Sequence, residues 1–128
     1  MKESQRKRVI PVGKLKNIVS ELMRFGDTTL PSAASRLGTS PRSLQRYLVA
    51  SGISYSELVD EVRYEIARSL LASTMLDVAE IGATLGYRDP SSFSRAFMRW
   101  SGTSPSSFRE EANLTAEHRS GSYQLIEL

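Results

Sequence analysis

The chain of 128 residues contains no cysteine. That excludes disulfides, thiolate metal sites and cysteine nucleophiles, and it fits a reducing, cytoplasmic setting. A single histidine, His118, leaves almost no scope for a zinc site or an acid–base triad. No run of about 18 apolar residues is present, so no membrane span or membrane role is expected. The segment Met1 to Lys16 is basic but has no apolar core of the kind a secretory signal needs. No paired carboxylates, activated nucleophile or Gly-rich phosphate loop stands out. Catalysis, metal binding and cofactor binding are therefore not expected.

What remains is a composition with 40% hydrophobic and 24% charged residues, ordinary for one globular domain. The charge is unevenly placed. Residues 1–56 carry ten Lys/Arg against three Asp/Glu, and residues 57–128 carry seven against eleven. A basic half points to an anionic partner, either nucleic acid or a membrane surface. Arg6, Lys7 and Arg8 fit a basic leader equally well.

The chain repeats itself. Leu37-Gly38 recurs as Leu85-Gly86. Pro41-x-Ser43-Leu44-x-Arg46-x-Leu48 recurs as Pro90-x-Ser92-Phe93-x-Arg95-x-Phe97. Gly52-x-Ser54-x-Ser56-x-Leu58 recurs as Gly102-x-Ser104-x-Ser106-x-Phe108. The offset drifts from 48 to 50 residues through two one-residue slips. Two copies of one supersecondary unit are the simplest account.

Punctuation identifies the unit. Ser32 reads as an N-cap for a short helix that carries Ala33, Ala34 and Leu37 and stops at Gly38. Ser40-Pro41 starts a second helix, with Leu44, Tyr47 and Leu48 on one face. In the second copy Asp77-x-x-Glu80 is a capping box, Gly86 stops the first helix, and Asp89-Pro90 starts the next. Phe93, Phe97 and Trp100 share its buried face. A short helix, a tight turn and a second helix is the helix-turn-helix plan. Between the copies, Ser54-x-x-Glu57 opens a long helix to about Met75, striped by Leu58, Val62, Ile66 and Leu70. Its polar face, from Glu57 to Arg68, reads as solvated. An amphipathic helix from about Val12 to Phe25 precedes the first copy, and Ser104-Pro105 starts a final helix through Phe108 and Ala112. From Asn113 onward no periodicity is clear, apart from a weak strand pattern at Tyr123 to Leu128. The organisation expected is a basic linker or arm at 1–11, one domain at 12–112, and a C-terminal tail at 113–128 that holds His118. Within the domain, the first helix-turn-helix lies at about 32–52, the linker helix at about 55–75 and the second helix-turn-helix at about 78–101.

The second copy carries Ala79-Glu80-Ile81-Gly82-Ala83-Thr84-Leu85-Gly86-Tyr87, Phe93-Ser94-Arg95-Ala96-Phe97, Gly102-Thr103-Ser104-Pro105 and Phe108-Arg109. In that order, and with Ser40 to Arg46 in the first copy, these motifs resemble the DNA-binding domain of the AraC/XylS family of bacterial transcription regulators. The likeness covers roughly Val12 to Glu111. It implies an all-α fold of about seven helices, two helix-turn-helix subdomains joined by a long linker helix. It also implies that two recognition helices enter successive major-groove segments of double-stranded DNA. Two such heads on one rigid helix would span about one turn, roughly 34 Å, and bend the duplex. Most members carry a separate sensor or dimerisation domain. The short chain is in keeping with a single-domain member or, as its basic leader favours, with the C-terminal part of a longer regulator, monomeric alone and dimeric through a further domain.

Recognition helices read base edges near their N-termini. Arg pairs bidentately with guanine, and Gln with adenine. Arg42, Gln45 and Arg46 are the expected DNA-facing set of the first unit, with Ser43 beside them; Arg42 and Gln45 are the base readers, and Arg46 reads a base or a phosphate. In the second, Arg95 matches Arg46 and is the main reader or clamp. Ser91, Ser92 and Ser94 accompany it and discriminate weakly. Arg88 and Arg99 are phosphate candidates, although a carboxylate partner would serve Arg99 as well. Ser40, Ser54 and Ser104 cap helix N-termini, where phosphate binds; plain capping explains them too. RNA polymerase is a further expected partner for activation, through the acidic face of the long helix or the tail. The competing reading is a helical protein-interaction module without DNA binding, supported by the acidic second half.

Overall fold

Among the described residues seven helices form, most of them where the sequence supplies a cap and then an apolar stripe. The computed structural model describes residues 12–127, and side chains for residues 12–116. The helices are α1 (Val12–Met23), α2 (Leu30–Leu37), α3 (Pro41–Ala50), α4 (Tyr55–Ser73), α5 (Val78–Thr84), α6 (Pro90–Ser101) and α7 (Pro105–Glu127), with no strand among the described residues. The all-α expectation holds. The expected arm at 1–11 and the side chain of His118 lie outside what is described. Among the described residues, no helix is long and apolar enough to cross a membrane.

The chain divides into two compact units, at Arg63 and Tyr64. In the first, α1 packs on α2 and α2 on α3. Leu15 and Val19 of α1, Ala33 and Ala34 of α2, and Leu44 and Leu48 of α3 are all buried. The alanines allow α2 to lie close to its neighbours, which a larger side chain would prevent. Gly38 closes α2 at φ 74°, a left-handed conformation that costs glycine little. Lys16 pairs with Glu61 of α4 at 2.9 Å. The Tyr55 hydroxyl donates to the Thr29 carbonyl at 3.4 Å, and burial pushes its phenol up to about 12.

In the second unit α5 packs on α6 and α6 on α7. Its core is aromatic. Phe97 meets Tyr64 and Phe108, each with ring centroids 5.6 Å apart, and Phe93 meets Tyr87 at 5.7 Å. Trp100 closes the cluster on Tyr64 at 5.9 Å. The Arg109 guanidinium donates to the carbonyls of Leu71, Leu70 and Thr74 and so caps the end of α4, where helix carbonyls run out of backbone donors.

Local chemistry corrects the sequence reading in three places. Thr29, not Ser32, is the N-cap of α2: its side chain accepts from the Ser32 N–H, while the Ser32 hydroxyl donates to Asp27 at 2.5 Å. Proline at the second helical position allows the helix to begin at Leu30, before Ser32. The linker helix ends at Ser73 rather than Met75, where the Thr74 hydroxyl turns back to the Leu70 carbonyl at 2.7 Å. The last helix does not stop near Ala112 but runs to Glu127, so no strand forms at 123–127. The polar face of α4 is also less purely solvated than expected. Arg63 pairs with Asp60 at 3.2 Å, and the Arg68 guanidinium lies 5.3 Å over the Tyr64 ring.

Candidate nucleic-acid interface

Helix α3 is set by Ser40, whose hydroxyl accepts the Ser43 N–H at 3.1 Å, and by Pro41 at its first position. With Leu44 and Leu48 buried and Tyr47 half-buried, the opposite face is fixed by helical geometry. Residues 42, 45, 46 and 49 recur at i, i+3, i+4 and i+7, which makes one stripe. All four are exposed, and Arg42, Gln45, Arg46, Val49 and Ala50 together line a shallow open groove.

Helix α6 repeats the construction. Asp89 caps it, accepting the Ser92 N–H at 2.8 Å, with Pro90 first in the helix. Phe93 and Phe97 are buried. The exposed face presents Ser91, Ser94, Arg95 and Met98, and Ser94, Arg95, Met98, Arg99 and Ser104 line the second groove. The two grooves fall at equivalent positions of the sequence repeat, although they were formed from different residues.

Five basic side chains elsewhere serve the fold. Arg36 pairs with Glu21, Lys16 with Glu61 and Arg63 with Asp60. Arg68 stacks on Tyr64, and Arg109 caps α4. Arg42, Arg46 and Arg99 have no carboxylate partner among the described residues, and Arg95 makes no ion pair, although it lies within electrostatic reach of the Asp89 carboxylate. Their positive charge is left to solvent or a ligand. Arg95 makes one long contact, 3.5 Å to the Ser92 hydroxyl. The carboxylate partner considered for Arg99 does not materialise among the described residues.

Not every expected residue joins these faces. Ser43 and Ser92 are half-buried and occupied with the caps of their own helices. Arg88 is exposed in the turn before α6. The three capping serines are in place, but their surroundings differ. At Ser54 the Glu57 carboxylate accepts the Ser54 N–H at 2.9 Å, so this N-terminus already holds an anion. No acid lies in the first turn of α3 or α7, which leaves Ser40 and Ser104 at termini open to phosphate. The N-terminus of α6 is filled by Asp89, whose carboxyl is held below its ordinary value by the Ser92 N–H and hydroxyl. The sequence places Val49 off the buried face with Arg42, Gln45 and Arg46 but gives it no role, and Met98 was overlooked. Their register on the arginine stripe was the available signal.

A model of the helix-turn-helix domain matches residues 33–111, which takes in both copies of the repeat. The chain is 44% identical over 90 residues to the ornithine utilization regulator of Pseudomonas aeruginosa, covering 70% of this chain and 26% of that one. It thus spans about a quarter of the length of that relative. Among solved structures it is similar to the C-terminal domain of AraT, a response regulator from Geobacillus stearothermophilus. The TM-score is 0.67 at 35% identity, covering 81% of this chain and 88% of the other. The DNA-binding domain of AdpA, a global transcriptional factor solved in complex with a target DNA, shares the fold. Its TM-score is 0.65 at 22% identity, over 82% and 95% of the two chains.

Proposed function

This chain belongs to the AraC/XylS-type helix-turn-helix family, and from that membership we propose that it reads double-stranded DNA in the major groove as part of a bacterial transcription regulator. One observation carries the reading: both exposed stripes of the repeat, on α3 and on α6, present arginines that make no ion pair, whereas Arg36, Arg63, Arg68 and Arg109 are committed to ion pairs, stacking or capping. Arg42, Gln45 and Arg46 read base edges, because guanidinium and carboxamide groups match guanine and adenine bidentately. Arg95 reads or clamps in the second unit. Ser91 and Ser94, with short hydroxyls, distinguish bases weakly. Arg88 and Arg99 contact phosphate, as do the helix termini at Ser40 and Ser104. Such a protein acts in the cytoplasm, where the chromosome is, and needs no catalytic group or cofactor for this task. RNA polymerase is the partner that activation would require.

Binding to a fluorescent duplex, chosen by enrichment from a random-sequence pool, tests the proposal by anisotropy across a salt series. With about six to eight phosphate contacts the log–log salt slope is about −5 to −7. Arg46→Ala is expected to weaken binding by about 1–3 kcal/mol and to relax selectivity. Absence of binding at low salt, or equal affinity of the substituted chain, would overturn it and favour a protein-interaction role.

A further inference from the structure

Polar recognition leaves one kind of side chain on these faces unexplained. Val49 is 73% exposed and Met98 is 48% exposed. Exposed apolar residues scattered singly over a surface are ordinary. These two share a register. Val49 follows Arg42 by seven residues and Arg46 by three, at the C-terminal end of the exposed stripe of α3; Met98 stands in the same relation to Ser91 and Arg95 on α6. Each lines the groove that holds its helix's arginine.

Neither side chain can donate a hydrogen bond to phosphate or to a base. A valine accepts none, and a thioether accepts only weakly. Among the groups that line the major groove of B-DNA, the thymine 5-methyl is the apolar one. Pressed against a G·C edge, either residue would strip water from N7, O6 or N4 and return no hydrogen bond, which is unfavourable. Pressed against a thymine methyl, it buries apolar surface on both sides.

We propose that Val49 and Met98 are specificity-determining residues that each pack on the 5-methyl group of a thymine in the bound duplex. The assignment rests on the DNA-reading proposal above. Three helical residues rise about 4.5 Å, little more than the base-pair step of about 3.4 Å. The thymine therefore neighbours the base pair reached by Arg46 or Arg95. Valine, β-branched, is held in one rotamer in a helix. The methionine side chain is flexible and fits irregular surfaces. The first contact is accordingly the more discriminating.

The test replaces thymine by deoxyuridine, one position at a time, in the duplex enriched by the wild-type chain. This removes the methyl group and leaves base pairing and the hydrogen-bonding edge intact. One position should lower wild-type affinity about fourfold, the effect of one buried methylene-sized group, and a second should lower it less. Val49→Ser should abolish the first penalty alone, and Met98→Ser the second alone, since serine puts a short hydroxyl where the apolar group stood. Both sites are exposed, so the fold is retained, which circular dichroism checks. A wild-type chain that enriches a motif yet is indifferent to every deoxyuridine overturns the methyl assignment and leaves DNA reading standing. So does a penalty that persists in both substituted chains. If the wild-type chain enriches no motif, DNA reading fails and the methyl assignment falls with it.

Discussion

A methyl group at position 82 would stand 2.9 Å from Cβ of Phe93 and 3.0 Å from its Cγ. Phe93 is fully buried among Tyr87 and Phe97, so it cannot swing away into solvent. This is why a glycine, a poor helix former, occupies the middle of α5. Gly82→Ala is expected to destabilise the chain by about 1–3 kcal/mol through overpacking, read as a lower urea midpoint at unchanged slope. An unchanged midpoint would show that α5 and α6 are not held this closely. The sequence showed Gly82 within a recognisable motif but not what it touches, because close approach is a property of two elements together. Arg109 was similarly visible only as part of a motif. Its three carbonyl partners lie 35 to 39 residues earlier in the chain. Val49 was legible in position but not in role, since it offers no hydrogen bond to suggest one, and Met98 went unread beside the aromatic stripe of its helix.

At the scale of the helix, caps were the most readable feature, because capping needs only a few residues in a fixed order. Ser40-Pro41, Ser54 with Glu57, Asp77 with Glu80, and Asp89-Pro90 all start helices as their spacing indicates. Thr29 was missed because Ser32 offers the same chemistry three residues later, and only Asp27 decides which hydroxyl is engaged elsewhere. The extension of α7 was missed for a different reason. Asn113 to Ala116 are exposed and Leu114 is 64% exposed, so this stretch has no packed stripe and no period to read. The Asp89 cap also makes a pH prediction. Its carboxyl is depressed in the folded chain, chiefly by the Ser92 N–H and then by the Ser92 hydroxyl, with a smaller contribution from Arg95. The unfolded chain therefore binds the proton more readily, and the stabilisation is present above the ordinary value of 3.8 and lost as pH falls below it. Trp100, the single tryptophan, sits in the same unit and reports on it by fluorescence. Acid titration should lower the stability of that unit as pH falls below the ordinary carboxylate range, read as a falling urea midpoint. Asp89→Asn keeps a competent cap and should make the loss less steep; an identical acid profile would contradict the assignment.

For the whole molecule, the repeat made both units legible, because each copy carries the same turn glycine, cap and buried face. The exposed faces became readable by subtraction, once the core face of each helix was known. Which arginines were uncommitted could not be read in the same way. Arg36 and Arg46 look alike in the sequence, yet one is paired with Glu21 and the other has no carboxylate partner among the described residues. The central claim is that two separate helices, α3 and α6, each read their own part of one DNA site. The most direct measurement is enrichment of binding sites from a random duplex pool by three chains: wild type, Arg46→Ala and Arg95→Ala. The account predicts a wild-type motif of two separated blocks, with Arg46→Ala eroding one block and Arg95→Ala the other. A motif left intact by both substitutions, or no enriched motif at all, would contradict it.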